Sequence, residues 1–160
     1  MVVSDKAGGS LGRRRLNALG LTVALVACAS AWSGQAANPT VSSRQATMKA
    51  IAGQMKQASG FATGQTAWDP VKVKALMTAV AANAKKSKDL FPAKSASDPD
   101  SSATPATWEH RADVLKRFDE LAKLSLAAGG AKTQQDFRAQ LTPLGGTCKG
   151  CHDTYRKKPA

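Results

Sequence analysis

Apolar residues recur along this chain at three- and four-residue steps, the period of one face of an α-helix. No stretch alternates as a strand would, and no internal repeat is evident. From about Thr40 to Ser59 the stripe is Val41, Gln45, Met48, Ala52, Met55 and Ala58, with Arg44, Lys49 and Lys56 off it or at its margin. Gly60 to Ala67 holds two glycines and reads as a loop. A second helix starts near Trp68-Asp69-Pro70, with Asp69 as cap and Pro70 at the first helical position. Its stripe is Val73, Leu76, Met77, Val80, Ala84 and Leu90 or Phe91, and it stops at Pro92. Residues 92–104 form a connection rich in Ser, Asp and Pro, long enough to suit a crossover between distant ends rather than a tight turn.

Thr104-Pro105 opens a third helix in the same cap-then-proline manner. Trp108, Arg111 or Ala112, Leu115, Phe118, Leu121 or Ala122, and Ser125 form its core side, and Gly129-Gly130 ends it. Thr133, with Asp136 three residues on, caps a fourth helix whose stripe is Phe137, Leu141, Leu144, Cys148, His152 and Tyr155. Pro143 removes one backbone hydrogen bond there, which predicts either a kink before Gly145-Gly146 or a break into two pieces. Four helices joined by short, long and short connections predict an all-α four-helix bundle.

Upstream of this pattern, residues 1–36 read as an export signal. Arg13 to Arg15 precede an apolar run, Leu16 to Ala27, that is too short to span a bilayer. Ala29-Ser30-Ala31 and Gly34-Gln35-Ala36 both fit cleavage by a signal peptidase. Leu25-Val26-Ala27-Cys28 also resembles a lipobox, in which Cys28 would anchor the mature chain to a lipid. Residues 37–160 then make one domain, placed in the periplasm.

Alanine is abundant and aromatics are 5% of the 160 residues, which agrees with helices. The formal charge is +12, of which +3 belongs to the first 31 residues and +9 to the remainder. A basic balance suits nucleic acid, anionic membrane or an acidic protein. With no basic helix interleaved with aromatics and no nucleic-acid motif, nucleic acid is disfavoured, and an acidic redox partner or plain solubility is the reading of the charge.

The chemistry lies at Cys148-Lys149-Gly150-Cys151-His152, a C-x-x-C-H run of the kind that attaches a c-type haem. Each thiol can form a thioether with one vinyl group, and the adjacent imidazole then lies under the iron as an axial ligand. On a helix, Cys148, Cys151 and His152 share one face with the core stripe, which places the porphyrin inside the bundle. A zinc site would need four ligands, and His110 and Cys28 are the only other histidine and cysteine. A thioredoxin-type motif would need a βαβ setting, and a plain disulfide would leave His152 unexplained. No acid–base pair, nucleophile triad or phosphate loop argues for an enzyme.

These features resemble the cytochrome c-prime family over about residues 40–158. The marks are Arg44-Gln45-Ala46-Thr47-Met48-Lys49, Leu90-Phe91-Pro92, Pro105 with Trp108, and Cys148 to Arg156. The resemblance implies a four-helix bundle holding one haem c through its C-terminal helix, with Cys148 and Cys151 in thioethers and His152 as proximal iron ligand. It implies two functional branches. In one, a methionine from the first helix, here Met48, completes a low-spin iron suited to one-electron transfer. In the other the iron is five-coordinate and binds nitric oxide or carbon monoxide, with a basic residue, here Arg44, near the haem. The resemblance also makes a homodimer through the first two helices an expectation. Met55 and Met77 are read as core, and His110 as solvent-facing.

Overall fold

The computed structural model describes residues 38–158. The expected export signal and Cys28 lie outside the described residues. Five α-helices follow one another: α1 Pro39–Thr63, α2 Pro70–Ser87, α3 Ala106–Glu109, α4 Arg111–Gly129 and α5 Gln134–Tyr155. Helix α1 packs on α2 and α5, and α4 packs on the same two, so the four long helices close a ring. Neighbours are antiparallel. The start of α1 meets the end of α2 where Arg44 reaches the Leu90 carbonyl, and the Gly129 end of α4 lies beside Lys74 near the start of α2. The start of α5 meets the end of α1 where Gln134 reaches the Phe61 carbonyl. The chain is an all-α four-helix bundle.

Two helix starts follow the expected chemistry, and a third, at Asn38, uses the same device without having been anticipated. Asn38 accepts from the Thr40 amide and Asp69 from those of Val71 and Lys72, each before a proline at the first helical position. Thr133 accepts from the Asp136 amide and donates to its carboxylate, closing a reciprocal cap. The fourth start differs. Thr104 does not cap; its hydroxyl donates to the Thr154 carbonyl of α5, and α3 begins without a side-chain cap.

The first helix runs one turn past Ser59, because Gly60 is tolerated within it and the chain turns at Gly64, whose φ of 80° lies in the left-handed region. Its buried side is Val41, Arg44, Thr47, Ile51, Ala58 and Phe61, so Arg44 belongs to the packed face and not to its margin. The third helix is two pieces. His110, at φ −113° and ψ 36°, breaks the α-helix between α3 and α4 and rotates one against the other. That rotation buries Thr107 and Val114, leaves Arg111 and Ala112 exposed and Leu115 only half-buried.

The centre of the bundle is Phe137, Met77, Leu144, Val73 and Val80, all fully buried, each contributing about 1.5–3 kcal/mol by removal from water. A second cluster, Phe91, Val114, Phe118 and Tyr155, sits at the end where α1 begins and α5 stops. The connection 88–105 covers that same end. Since α2 and α4 are antiparallel neighbours, it does not cross between distant ends, as its length suggested; Lys88 pairs with Asp119 and Arg111 donates to the Phe91 carbonyl. The extra length makes an excursion across the end of the bundle. It reaches α1 through Arg44 and Gln45, and it reaches the tail of α5 through Thr104 and an isolated antiparallel bridge between Ala103 and Arg156.

Candidate haem site

Helix α5 stays unbroken through Pro143. The carbonyl that loses its partner is that of Ala139, and both residues are exposed, so water can satisfy it. Cys148, Cys151 and His152 therefore keep helical spacing and face one way. All three line a cavity of about 630 Å³, within the ordinary range for bound organic groups. Helix α1 supplies Arg44, Met48, Ile51, Ala52 and Met55 to its walls; the connection supplies Phe91, Ser102 and Ala103; α4 supplies Arg117, Phe118 and Leu121. Helix α2 supplies none.

Two thiols and an imidazole at one edge of a mainly apolar slot fit a flat apolar macrocycle with a central metal. The Cys148 and Cys151 thiols are free, and burial pushes both above the ordinary thiol value, which keeps them protonated at neutral pH. His152 is held below the ordinary imidazole value, first by desolvation and then by Arg156, against an opposing pull from Asp153. The neutral imidazole is the ligating form. His152 lines the cavity wall and keeps part of its surface open to solvent, not sealed in the core as its place on the apolar stripe suggested.

Which methionine stands opposite follows from the register of two antiparallel helices. Gln134 Nε2 donates to the Phe61 carbonyl at 2.9 Å, and each helix rises by about 1.5 Å per residue. Equal steps back along α1 and forward along α5 bring Met48 level with Thr147, beside Cys148, and Met55 level with Gln140. Met48 alone packs against both core clusters, together with Cys148 in one and Cys151 in the other. Met55 lines the cavity as well, so it is more than the core residue its spacing suggested. Met77 is fully buried in the core and His110 is exposed, as expected.

Arg44 is 5% exposed and lines the same cavity one turn before Met48. Its guanidinium donates to the Leu90 carbonyl at 3.0 Å, to Ser95 Oγ at 3.3 Å and to Ser101 Oγ at 3.0 Å. It also lies 4.8 Å from the centre of the Phe91 ring and 5.6 Å from that of Trp108. Spacing alone could not show this, because every partner comes from the connection or the short helix that follows it.

A further group on this wall was not anticipated. Tyr155 Oη donates to Asp113 Oδ2 at 2.6 Å, and Arg117 Nε donates to the same oxygen at 2.7 Å. The tyrosine hydrogen bond first, then Arg117, holds the Asp113 carboxyl below its ordinary value. The Asp113–Arg117 spacing on one helix was a readable signal for the ion pair, whereas Tyr155 joins it only through tertiary packing.

The family model described as Cytochrome C' matches residues 39–156. Among relatives, a cytochrome c' of Rhodopseudomonas palustris is 32% identical over 119 residues, covering 74% of this chain and 82% of that protein. A cytochrome c-556 of Agrobacterium tumefaciens is 34% identical over 120 residues, covering 74% and 97%. The solved structure of cytochrome c' from Rhodopseudomonas palustris superposes with a TM-score of 0.72 at 31% identity, covering 77% of this chain and 99% of that one.

Proposed function

The chain belongs to the cytochrome c' family, whose members carry covalently bound haem c with its iron, and on that footing we propose that it is a one-electron carrier of the periplasm. Cys148 and Cys151 would hold the macrocycle through thioethers, each thiol adding its S–H across one vinyl group with no by-product. His152 would supply the proximal nitrogen, and the lowered basicity of its ring favours the neutral form whose lone pair can take a metal. Met48, from α1 across the cavity, would be the second side chain to hold the iron. When bound, the haem would provide a one-electron iron couple, and His152 and Met48, both fixed on helices, would hold it with little rearrangement between oxidation states.

The observation that carries this reading is the level of Met48 with the C-x-x-C-H turn across the cavity. Its thioether is a soft donor suited to haem iron. The Arg44 guanidinium, the basic group a gas-binding reading would use, spends three of its donors on the connection. The relatives carry both cytochrome c' and cytochrome c-556 names, so membership in the family leaves the choice to the site itself. Placement in the periplasm rests on the basic Arg13 to Arg15 and the apolar Leu16 to Ala27 ahead of the domain. Among the described residues no helix is long and apolar enough to cross a membrane.

The test is the absorption spectrum of purified holoprotein, oxidised and reduced, compared with that of Met48→Ala. A low-spin spectrum that turns high-spin in the variant is the expected result. A high-spin spectrum that the substitution leaves unchanged would overturn Met48 ligation and favour an open iron that binds nitric oxide or carbon monoxide.

A further inference from the structure

The last turn of α5 is closed from outside the helix. Its final local hydrogen bond runs from the Arg156 amide to the His152 carbonyl. Arg156 then leaves in extended conformation, without the left-handed residue that commonly seals a helix end. The segment from Ser102 to Thr107 takes up the carbonyls left over. Thr104 donates its amide to the Tyr155 carbonyl at 3.0 Å and its hydroxyl to the Thr154 carbonyl at 3.1 Å. The Thr107 hydroxyl donates to the Tyr155 carbonyl at 3.1 Å, and the Lys157 amide to the Ser102 carbonyl at 2.8 Å. Thr107 is fully buried, so its hydroxyl has no water as an alternative partner. Just ahead of the C-x-x-C-H turn, by contrast, the helix is weak. Pro143 donates no backbone hydrogen bond, and Gly145 and Gly146 are exposed, with nothing within 4 Å of where a Cβ would lie. Neither glycine lines the cavity, so both lower helix propensity with no close approach that requires them.

We propose that Thr104 and Thr107 are positioning residues of the haem site: their grip on the last carbonyls of α5, and not the helix that carries the motif, sets where Cys148, Cys151 and His152 stand. Leu144 anchors α5 in the core before the two glycines, and Tyr155 anchors it in the second cluster beyond the motif. Between these anchors local helix propensity is lowest where the motif begins. Release of the grip therefore frees residues 147–156 as one unit hinged at Gly145-Gly146, while residues 134–144 stay packed. The inference rests on the proposed function only in placing haem on those three side chains, and it holds for either iron coordination.

Hydrogen exchange of the holoprotein, read by mass spectrometry, separates 134–144 from 147–156. Soret circular dichroism of the same samples reads how the macrocycle sits against the chain. Thr107→Val keeps the shape and removes the hydroxyl, while the Tyr155 carbonyl retains its bond from the Thr104 amide. Thr107→Ser keeps the hydroxyl and loses a buried methyl group. Gly145→Ala combined with Gly146→Ala strengthens the hinge. Thr107→Val should speed exchange across 147–156 about tenfold and leave 134–144 within about twofold of the parent. Its Soret dichroism should lose intensity while the far-ultraviolet signal is unchanged, and Thr107→Ser should restore both the exchange rate and the Soret signal. The double alanine variant should slow exchange across 147–156 about tenfold. Equal speeding of both segments in Thr107→Val overturns the proposal, and so does a parent whose two segments exchange only together. An unchanged Soret signal beside faster exchange makes the contact structural and overturns the positioning role. If Thr107→Val does not fold, the double alanine variant decides: exchange across 147–156 within about twofold of the parent overturns the hinge and the grip alike. None of these outcomes depends on Met48, so failure of its ligation is read separately from its spectrum.

Discussion

At the scale of single residues, the site combines groups whose chemistry is fixed by type with groups whose chemistry is set by neighbours. Cys148, Cys151 and His152 belong to the first kind, and Met48 to the second, since a methionine on an apolar stripe is usually core. The Asp113, Tyr155 and Arg117 group shows how neighbours work. Asp113 is held below its ordinary value, so the group contributes stability above the unfolded carboxylate pKa. That contribution is lost as pH falls through the lower, folded value. Tyr155 is raised by the same hydrogen bond, so its share is present below the unfolded tyrosine value and lost as pH rises through the folded one. Tyr155→Phe should therefore reduce stability more at pH 7 than at pH 3, flattening the acid limb. Urea unfolding at the two pH values checks this, and equal losses at both would exclude the hydrogen bond as the cause.

At the scale of elements, two glycines on different helices make opposite predictions. A Cβ at Gly53 on α1 would meet nothing within 4 Å, and the residue is exposed. A Cβ at Gly129 on α4 would lie 3.2 Å from Met77 Cβ and 3.6 Å from the Lys74 backbone, where α4 approaches α2 closely. Gly53→Ala should stabilise the fold by about 0.5–1 kcal/mol through helix propensity and a less free unfolded chain. Gly129→Ala should destabilise it by about 1–3 kcal/mol, because the Cβ of a fully buried Met77 must give way by a few tenths of an ångström. Thermal melts of the two holoproteins test the pair. The connection 88–105 is the other element with a specific role. It supplies Phe91 to the cavity wall and ties α1 to the tail of α5, so its length serves the site and not the topology.

At the scale of the whole molecule, the net charge of +9 over the domain makes encounter with a partner a long-range electrostatic matter. Reduction by a small anionic reductant should slow by about tenfold or more between roughly 10 mM and 500 mM salt, since the Debye length shrinks from about 30 Å to under 10 Å. A cationic reductant of similar potential should show the opposite trend. Stopped-flow rates that ignore salt for both would remove charge as the basis for choosing a partner.

Whatever depends on local rules was legible along the chain before any packing was known. Helical periodicity placed the long helices, the reciprocal cap at Thr133 and the Asp69-Pro70 start fell where short-range hydrogen bonding puts them, and the C-x-x-C-H spacing placed two thiols and an imidazole on one face. Whatever depends on distant partners waited for the folded bundle. The break at His110 rotated the core side of α4, and antiparallel packing of α2 and α4 turned an expected crossover into a cover for one end of the bundle. Arg44 went inward because Leu90, Ser95 and Ser101, 46 to 57 residues away in sequence, supply its acceptors. Met48, rather than Met55, stands level with the motif because of the register of α1 against α5, which the Gln134–Phe61 hydrogen bond marks. Periodicity reports which side of a helix is buried; only packing reports against what.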